Sequence, residues 1–173
     1  MTRRRVFFLC GLIVLCTTAS ANPDTDQRKR LAGSANTSEA QLMQLADDPD
    51  WEVRQYLARN RKSSALLLDK LAHDPHPQVR IAVATNLSTT EATFMQLAKD
   101  SDVQVRSVVA RFEYVPASVL AVLADDPVTD IRIEVARNLN TDRATLMRLT
   151  RDDQPEVSAS ANIGLQRQGT EQN

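Results

Sequence analysis

A sequence pattern with a period of 26 residues runs through most of this 173-residue chain. A degraded copy, LTRDDQPEVSASANIG, begins at Leu149. Four clearer copies begin at a leucine: LADDPDWEVRQYLARN at Leu45, LAHDPHPQVRIAVATN at Leu71, LAKDSDVQVRSVVARF at Leu97 and LADDPVTDIRIEVARN at Leu123. A fixed period of about 20 to 50 residues marks a solenoid, in which each unit buries its apolar face only against its neighbours. The pattern therefore predicts an extended surface rather than a deep pocket.

Each repeat contains signals for two short helices. Asp48-Pro49 predicts an N-cap followed by proline at the first helical position. Asn60 predicts the helix end, because asparagine tolerates left-handed backbone angles there. Ser63 predicts a second N-cap, with Pro116 as a first-turn proline in a later copy. The equivalent residues are Asp74-Pro75, Asn86 and Thr89, then Asp100-Ser101, then Asp126-Pro127, Asn138 and Thr141. Helices this short are marginal in isolation, so stacking must stabilise them.

Apolar and small residues recur in four columns that predict the core, because they fall on one face of each helix. The second helix supplies Leu42, Leu68, Phe94, Leu120 and Leu146, and Leu45, Leu71, Leu97, Leu123 and Leu149. The first helix supplies Val53, Val79, Val105, Ile131 and Val157, and Ala58, Ala84, Ala110 and Ala136. The fold class is therefore all-α, a solenoid of short helix pairs.

The repeat also predicts the domain boundaries. Residues 27–165 form the solenoid, with a partial first unit, four full units and a degraded C-terminal half unit. In that last unit Ser158 replaces the recurrent arginine and Asn162 replaces the small alanine, as expected of a polar terminal cap. Residues 22–26 are predicted to be a flexible linker, and residues 166–173 a disordered tail.

Residues 1–21 have the form of a signal peptide. Three arginines, at positions 3–5, precede an apolar run over residues 6–16, and Ala19-Ser20-Ala21 fits a cleavage site after Ala21. An uncleaved anchor is the alternative, but a bilayer span needs about 20 apolar residues. A lipoprotein signal is disfavoured because leucine precedes both cysteines, and the apolar core favours general secretion over the twin-arginine route. We expect a periplasmic or secreted protein without a membrane span after cleavage.

Both cysteines, Cys10 and Cys16, lie in that predicted signal. The mature chain would then have no disulfide, no cysteine nucleophile and no thiolate metal site. Losing the three arginines of the signal changes the net charge from −1 to −4. This mildly acidic balance disfavours a general nucleic-acid binder.

An aspartate precedes an arginine by six residues in each clear copy. The pairs are Asp48 and Arg54, Asp74 and Arg80, Asp100 and Arg106, and Asp126 and Arg132. This spacing resembles that of HEAT-like helical repeats, and LAxDPxxxVRxxVAxN more closely resembles the bacterial leucine-rich repeat variant family. The resemblance covers about residues 27–165 and implies a right-handed superhelix whose second helix is α or 3₁₀. It carries over no iron–sulfur cluster, because the mature chain lacks cysteine, and the usual proline after the helix-ending asparagine is absent.

Two interpretations of these arginines stay open. They can bind anions, or each can pair with an aspartate and with backbone carbonyls of the adjoining unit, a structural ladder that suits the guanidinium fork. A second basic stripe of Arg59, Arg111 and Arg137 lies at predicted helix C-termini. There it can offset the helix dipole by about 0.3–1 kcal/mol per cation or can contact an acidic partner.

Residues that break the repeat are candidate partner-binding residues. Trp51 and Tyr56 occupy positions that vary between units, and Phe112 and Tyr114 replace the usual turn residues. Aromatic side chains at such positions can anchor an interface, whereas the alternative is local packing. His73 and His76 flank Asp74, but a metal site lacks an evident fourth ligand.

The sequence has no nucleophile–base signature and no glycine-rich phosphate loop. We therefore expect a non-enzymatic scaffold that binds another protein, without a cofactor, nucleic-acid partner or catalytic residue, and as a monomer. The alternatives are an accessory or chaperone subunit of an envelope enzyme complex, and a domain that self-associates.

Overall fold

A computed structural model describes residues 24–170, and this part of the chain is an all-helical solenoid. We call the odd-numbered helices first helices and the even-numbered ones second helices. The helices are α1 (Thr25–Gly33), α2 (Glu39–Leu45), α3 (Trp51–Arg59), α4 (Ala65–Leu71), α5 (Pro77–Ala84), α6 (Glu91–Leu97), α7 (Val103–Arg111), α8 (Ala117–Leu123), α9 (Thr129–Arg137), α10 (Arg143–Leu149) and α11 (Pro155–Thr170). The second helices are α-helical throughout.

The first helices stack directly on one another, and each second helix packs beside the first helix of its own unit and of the next. The predicted core columns are confirmed: all their members are buried except Leu45, which is partly buried in the first unit. The small alanines of the fourth column are fully buried, which allows the first helices to approach closely. Burial between neighbouring units therefore holds the described part of the fold together.

The predicted N-caps of the first helices are two residues too early. Asp50, not Asp48, caps α3 by accepting a bond from the amide of Glu52. Asp48 precedes it and accepts from the Asp50 amide, so Asp48 forms an Asx turn that leads into the cap. The same two-step entry recurs at Asp74 and His76, and at Asp100 and Asp102. Pro49 consequently lies in the turn and not in the helix.

The second helices are capped one residue later than predicted. Ser64 and Thr90 accept the capping bonds of α4 and α6, and Pro116 occupies the N-cap position of α8 without a side-chain bond. Ser63, in the predicted cap column, instead donates its buried hydroxyl to the Leu57 carbonyl. Equivalent bonds join Thr37 to Leu31, Thr89 to Val83 and Thr141 to Val135. This column closes the turn between the two helices of a unit.

The two ends of the array differ from their predicted boundaries. α1 begins at Thr25, so the linker predicted over 22–26 is too long, and the first unit has both helices rather than part of a unit. α11 continues to Thr170, so residues 166–170 are helical and not a disordered tail. The Gln168 side chain donates to the Thr141 carbonyl at 2.8 Å, which ties this extension to the preceding unit.

Residues 1–23 and 171–173 lie outside the described residues, as does the predicted signal peptide. Within residues 24–170, no helix combines the length and the apolar character that crossing a membrane requires.

Candidate protein-interaction surface

A ladder of arginine–aspartate ion pairs joins adjacent units. Each arginine pairs with the aspartate 20 residues after it, and not with the aspartate six residues before it that the sequence spacing suggests. Arg80 donates from Nε and Nη2 to the carboxylate of Asp100 in the next unit, at 2.7 and 2.8 Å. Its Nη1 donates to the carbonyl of Asp74 in its own unit at 2.7 Å. Each arginine therefore clamps the start of its own helix to the aspartate 20 residues later.

The ladder contains one residue more than predicted at each end, Arg28 and Asp152. Its five pairs are Arg28–Asp48, Arg54–Asp74, Arg80–Asp100, Arg106–Asp126 and Arg132–Asp152. The paired side chains are almost fully buried. Because their donors and acceptors already face each other, these arginines perform a structural role and do not present a free anion site.

Ion pairing lowers the pKa of two ladder aspartates. The bond from Arg132 lowers the pKa of Asp152 from 3.8 to about 2, against the effect of burial. At Asp100 burial raises the pKa, but the bonds from Arg80 and from the Asp102 amide outweigh it, so that this pKa is also lowered. Each carboxylate therefore loses its proton more readily in the folded protein than in the unfolded chain, and its ionised form stabilises the folded state.

These shifts predict acid sensitivity. A carboxyl whose pKa is lower in the folded state stabilises that state above its unfolded pKa of about 3.9, and the contribution disappears as pH falls. We expect the urea midpoint to fall between about pH 4 and pH 2, and to fall less in Asp152→Asn. Glu113→Gln, an exposed change outside the ladder, should keep the wild-type profile. Identical pH profiles for wild type and Asp152→Asn would contradict the assignment.

A second ladder uses the asparagines that end the first helices. The Asn86 side chain donates to the carbonyls of Ala58 and Asn60 in the preceding unit, at 2.7 and 3.1 Å. Its oxygen accepts from the Ser88 amide at 2.9 Å. Asn60 and Asn138 make the same contacts. Asn60 and Asn138 follow the helix ends directly, as predicted, but they are extended and do not adopt the left-handed conformation that asparagine tolerates. No residue within 24–170 has a positive φ.

The unit formed by α7 and α8 interrupts this asparagine ladder. Phe112 occupies the asparagine column, half-buried, with its ring centroid 6.0 Å from Phe94 and 5.7 Å from Tyr114. Tyr114 projects outward and is 61% exposed. Asn140 of the next unit holds this turn by donating to the carbonyls of Glu113 and Val115. Aromatic packing thus replaces the asparagine bonds and places a tyrosine at the surface.

The ends of the first helices and the turns that follow them form one edge of the solenoid, which we call the turn edge: residues 59–62, 85–88, 111–114 and 137–140. It contains Tyr114 and the predicted basic stripe, Arg59, Arg111 and Arg137, all exposed. It also contains two leucines that sequence reasoning missed: Leu87 is 63% exposed and Leu139 is 76% exposed. Basic and large apolar side chains therefore alternate along one edge.

The other predicted partner-binding aromatics lie elsewhere. Trp51 begins α3, at the opposite end of the first helices, and stacks on His76 with ring centroids 4.0 Å apart. This packing between units favours a structural role. Tyr56 is exposed on the outer face of α3, where a side-chain carbon at Gly33 would lie 3.4 Å from its ring. The structure therefore groups Arg111, Phe112 and Tyr114 closely, but it separates Trp51 from them.

The histidines are also accounted for locally. His76 caps α5, and the His73 ring contacts the Asp69 carbonyl. Within residues 24–170, no group of three or more histidine, cysteine or acidic side chains is placed to hold a metal ion.

No protein-family model matches this chain, and no curated protein matches it. The resemblance to HEAT-like repeats and to the leucine-rich repeat variant family stays a prediction.

Proposed function

We propose that this protein is an exported scaffold that binds another protein through its turn edge. The observation that carries the proposal is the set of three large apolar side chains, Leu87, Tyr114 and Leu139, which are each more than 60% exposed on consecutive units. Exposed apolar side chains that recur along one line of a surface are typical of an interaction site. Arginine and tyrosine, which are enriched among residues that dominate binding energy, lie beside them.

The opposite edge supports this location. It carries the entry turns of the first helices, and the recurrent aspartates of these turns are engaged by the arginines of the ladder. Its cavities, such as the one of about 430 Å³ between Asp48 and Asp74, are lined by these paired groups. A solenoid built from short turns can vary the turn residues without changing its core, so the turn edge is where a binding function fits best.

Site-specific photocrosslinking tests the proposal. A photoreactive phenylalanine analogue at position 114 is expected to crosslink a distinct protein in the cells that make this chain. The same analogue at position 151, exposed on the opposite edge, should not. Recovered protein should begin at Asn22 if the predicted signal is cleaved. Equal crosslinking from both positions, or none from position 114, would remove the turn edge as the binding surface. An enzyme complex as the captured partner would identify an accessory subunit.

A further inference from the structure

We infer that the turn edge binds an acidic, extended segment of its partner protein; this inference rests on the proposed function and specifies the chemistry of its ligand. The first observation is charge. The turn edge contains five cations and one carboxylate, Glu113, although the whole chain has a net charge of −1. The five cations are Arg59, Arg61, Lys62, Arg111 and Arg137.

The second observation is that these cations lack carboxylate partners within residues 24–170. Outside the turn edge, three cations that do not belong to the arginine ladder have such a partner: Lys29 pairs with Glu52, Lys70 with Asp47, and Arg148 with Asp125. Offsetting the helix dipole explains a cation in the last turn of a first helix, such as Arg111. It does not explain Arg61 and Lys62, which lie beyond the end of α3. The turn edge is therefore positive beyond what the helices themselves require.

The opposite edge differs in that its carboxylates are matched by cations. The ladder arginines pair with the recurrent aspartates, and the exposed aspartates Asp47, Asp125 and Asp153 contact Lys70, Arg148 and Arg132. The turn edge thus carries cations without carboxylate partners, whereas the opposite edge carries mainly paired charges. An approaching acidic segment is therefore attracted more strongly to the turn edge, which orients the encounter.

The third observation is the arrangement in two rows. The arginines at positions 111 and 137 end their helices, whereas Leu87, Tyr114 and Leu139 lie in the turns just beyond. In an extended chain successive side chains point to opposite sides. A segment with acidic residues on one side and apolar residues on the other can therefore meet both rows. Adjacent helices are about 8–10 Å apart, so the span from Arg59 to Arg137 corresponds to about eight or nine residues of extended chain.

Glu113 favours a protein segment over a uniformly anionic surface. It occupies the same column as Leu87 and Leu139, in the middle of the row. A lipid headgroup layer or a nucleic-acid backbone would bring negative charge against this carboxylate. A polypeptide can instead place a neutral or basic side chain opposite it.

Binding of a defined peptide tests the inference. The probe is a fluorescein-labelled peptide of about ten residues in which glutamate alternates with leucine, titrated with the purified full chain and followed by fluorescence anisotropy. We expect saturable binding that weakens at least tenfold between 50 mM and 500 mM NaCl, because exposed charges are screened over a few ångströms at high salt. The same peptide with lysine in place of glutamate should not bind.

Two double variants change the net charge equally. Arg111→Glu with Arg137→Glu should weaken binding at least tenfold. Lys99→Glu with Arg151→Glu, on the opposite edge, should stay within twofold of wild type. Circular dichroism melting checks that both double variants fold. If the variant with Arg111→Glu and Arg137→Glu does not fold, the single variants Arg111→Gln and Arg137→Gln are tested in its place.

Competing ligands complete the experiment. Tighter binding to phosphatidylglycerol vesicles or to a single-stranded oligonucleotide than to the glutamate peptide would overturn the inference, as would equal losses in the two double variants. If position 114 crosslinks a protein while the glutamate peptide fails to bind, the proposed function stands and the acidic-segment inference is wrong. If neither crosslinking nor peptide binding occurs, both are wrong.

Discussion

Arg80→Ala is expected to lower the free energy of unfolding by about 3–5 kcal/mol, because it removes one partner of a largely buried ion pair. The Arg80 side chain is 13% exposed and that of Asp100 is 8% exposed. Without the guanidinium, the Asp100 carboxylate keeps the amide of Asp102 as a donor but loses both bonds from the arginine. The Asp74 carbonyl loses its bond from Nη1 as well.

Urea denaturation followed by circular dichroism measures this loss. Because long repeat arrays can unfold in stages, amide hydrogen exchange in α5 and α7 provides a local measurement. Arg111→Ala is the matched control: Arg111 is exposed at the end of α7, and its removal should lower stability by no more than about 1 kcal/mol, the contribution of a cation at a helix C-terminus. Arg80→Lys should fall between the two, since an ammonium group cannot reproduce the bidentate fork. Equal losses in Arg80→Ala and Arg111→Ala would show that the ladder contributes no special stability.

Leu97→Ala is expected to destabilise the fold by about 2–5 kcal/mol, the range for removing a buried leucine side chain and leaving a cavity. Leu97 ends α6, is fully buried and belongs to the central core. Helices of seven residues have little stability of their own, so the loss should spread to the neighbouring units.

Leu87→Ala is the control for this change, because Leu87 is 63% exposed on the turn edge. It should alter the urea midpoint very little, with a change in free energy within about 0.5 kcal/mol. The proposed function adds a second expectation: Leu87→Ala should weaken partner binding while Leu97→Ala mainly affects folding. A stability loss as large in Leu87→Ala as in Leu97→Ala would contradict the assignment of Leu87 to the surface.

The sequence was sufficient to predict the helix pairs and the core, because Leu97, Val105 and their equivalents are buried by the same contact in every unit. It misplaced the helix starts because Asp48 and Asp50 are both suitable caps by local criteria. Which of the two caps the helix depends on Arg28 of the preceding unit, because its guanidinium forms an ion pair with the Asp48 carboxylate. Such a contact, 20 residues away in sequence, is absent from any local signal.

The asparagines and the C-terminus illustrate the same limit. The sequence predicts only a local backbone role for Asn60, but its side-chain amide donates hydrogen bonds to two carbonyls of the preceding unit. The helical extension through residue 170 lacks the apolar repeat, and contacts such as that of Gln168 hold it in place. At the turn edge, the sequence predicts Arg59, Arg111 and Arg137 as candidate binding residues. It does not single out Leu87 and Leu139, because the same repeat position holds Arg61 and Glu113 in other units. Two leucines at one turn position could nevertheless have indicated an exposed apolar surface.

The close approach at Gly164 has a consequence for the shape of the last unit. Gly164 stands in the asparagine column, and a side-chain carbon there would lie 3.0 Å from the Ala136 carbonyl oxygen and 3.0 Å from Leu146. Because glycine has no side chain to clash at this position, α11 continues past the residues where the first helices of earlier units end. The last unit within residues 24–170 thus presents one continuous helix where the earlier units present a turn and a second helix, so its outer end differs from the stacking surface of every other unit.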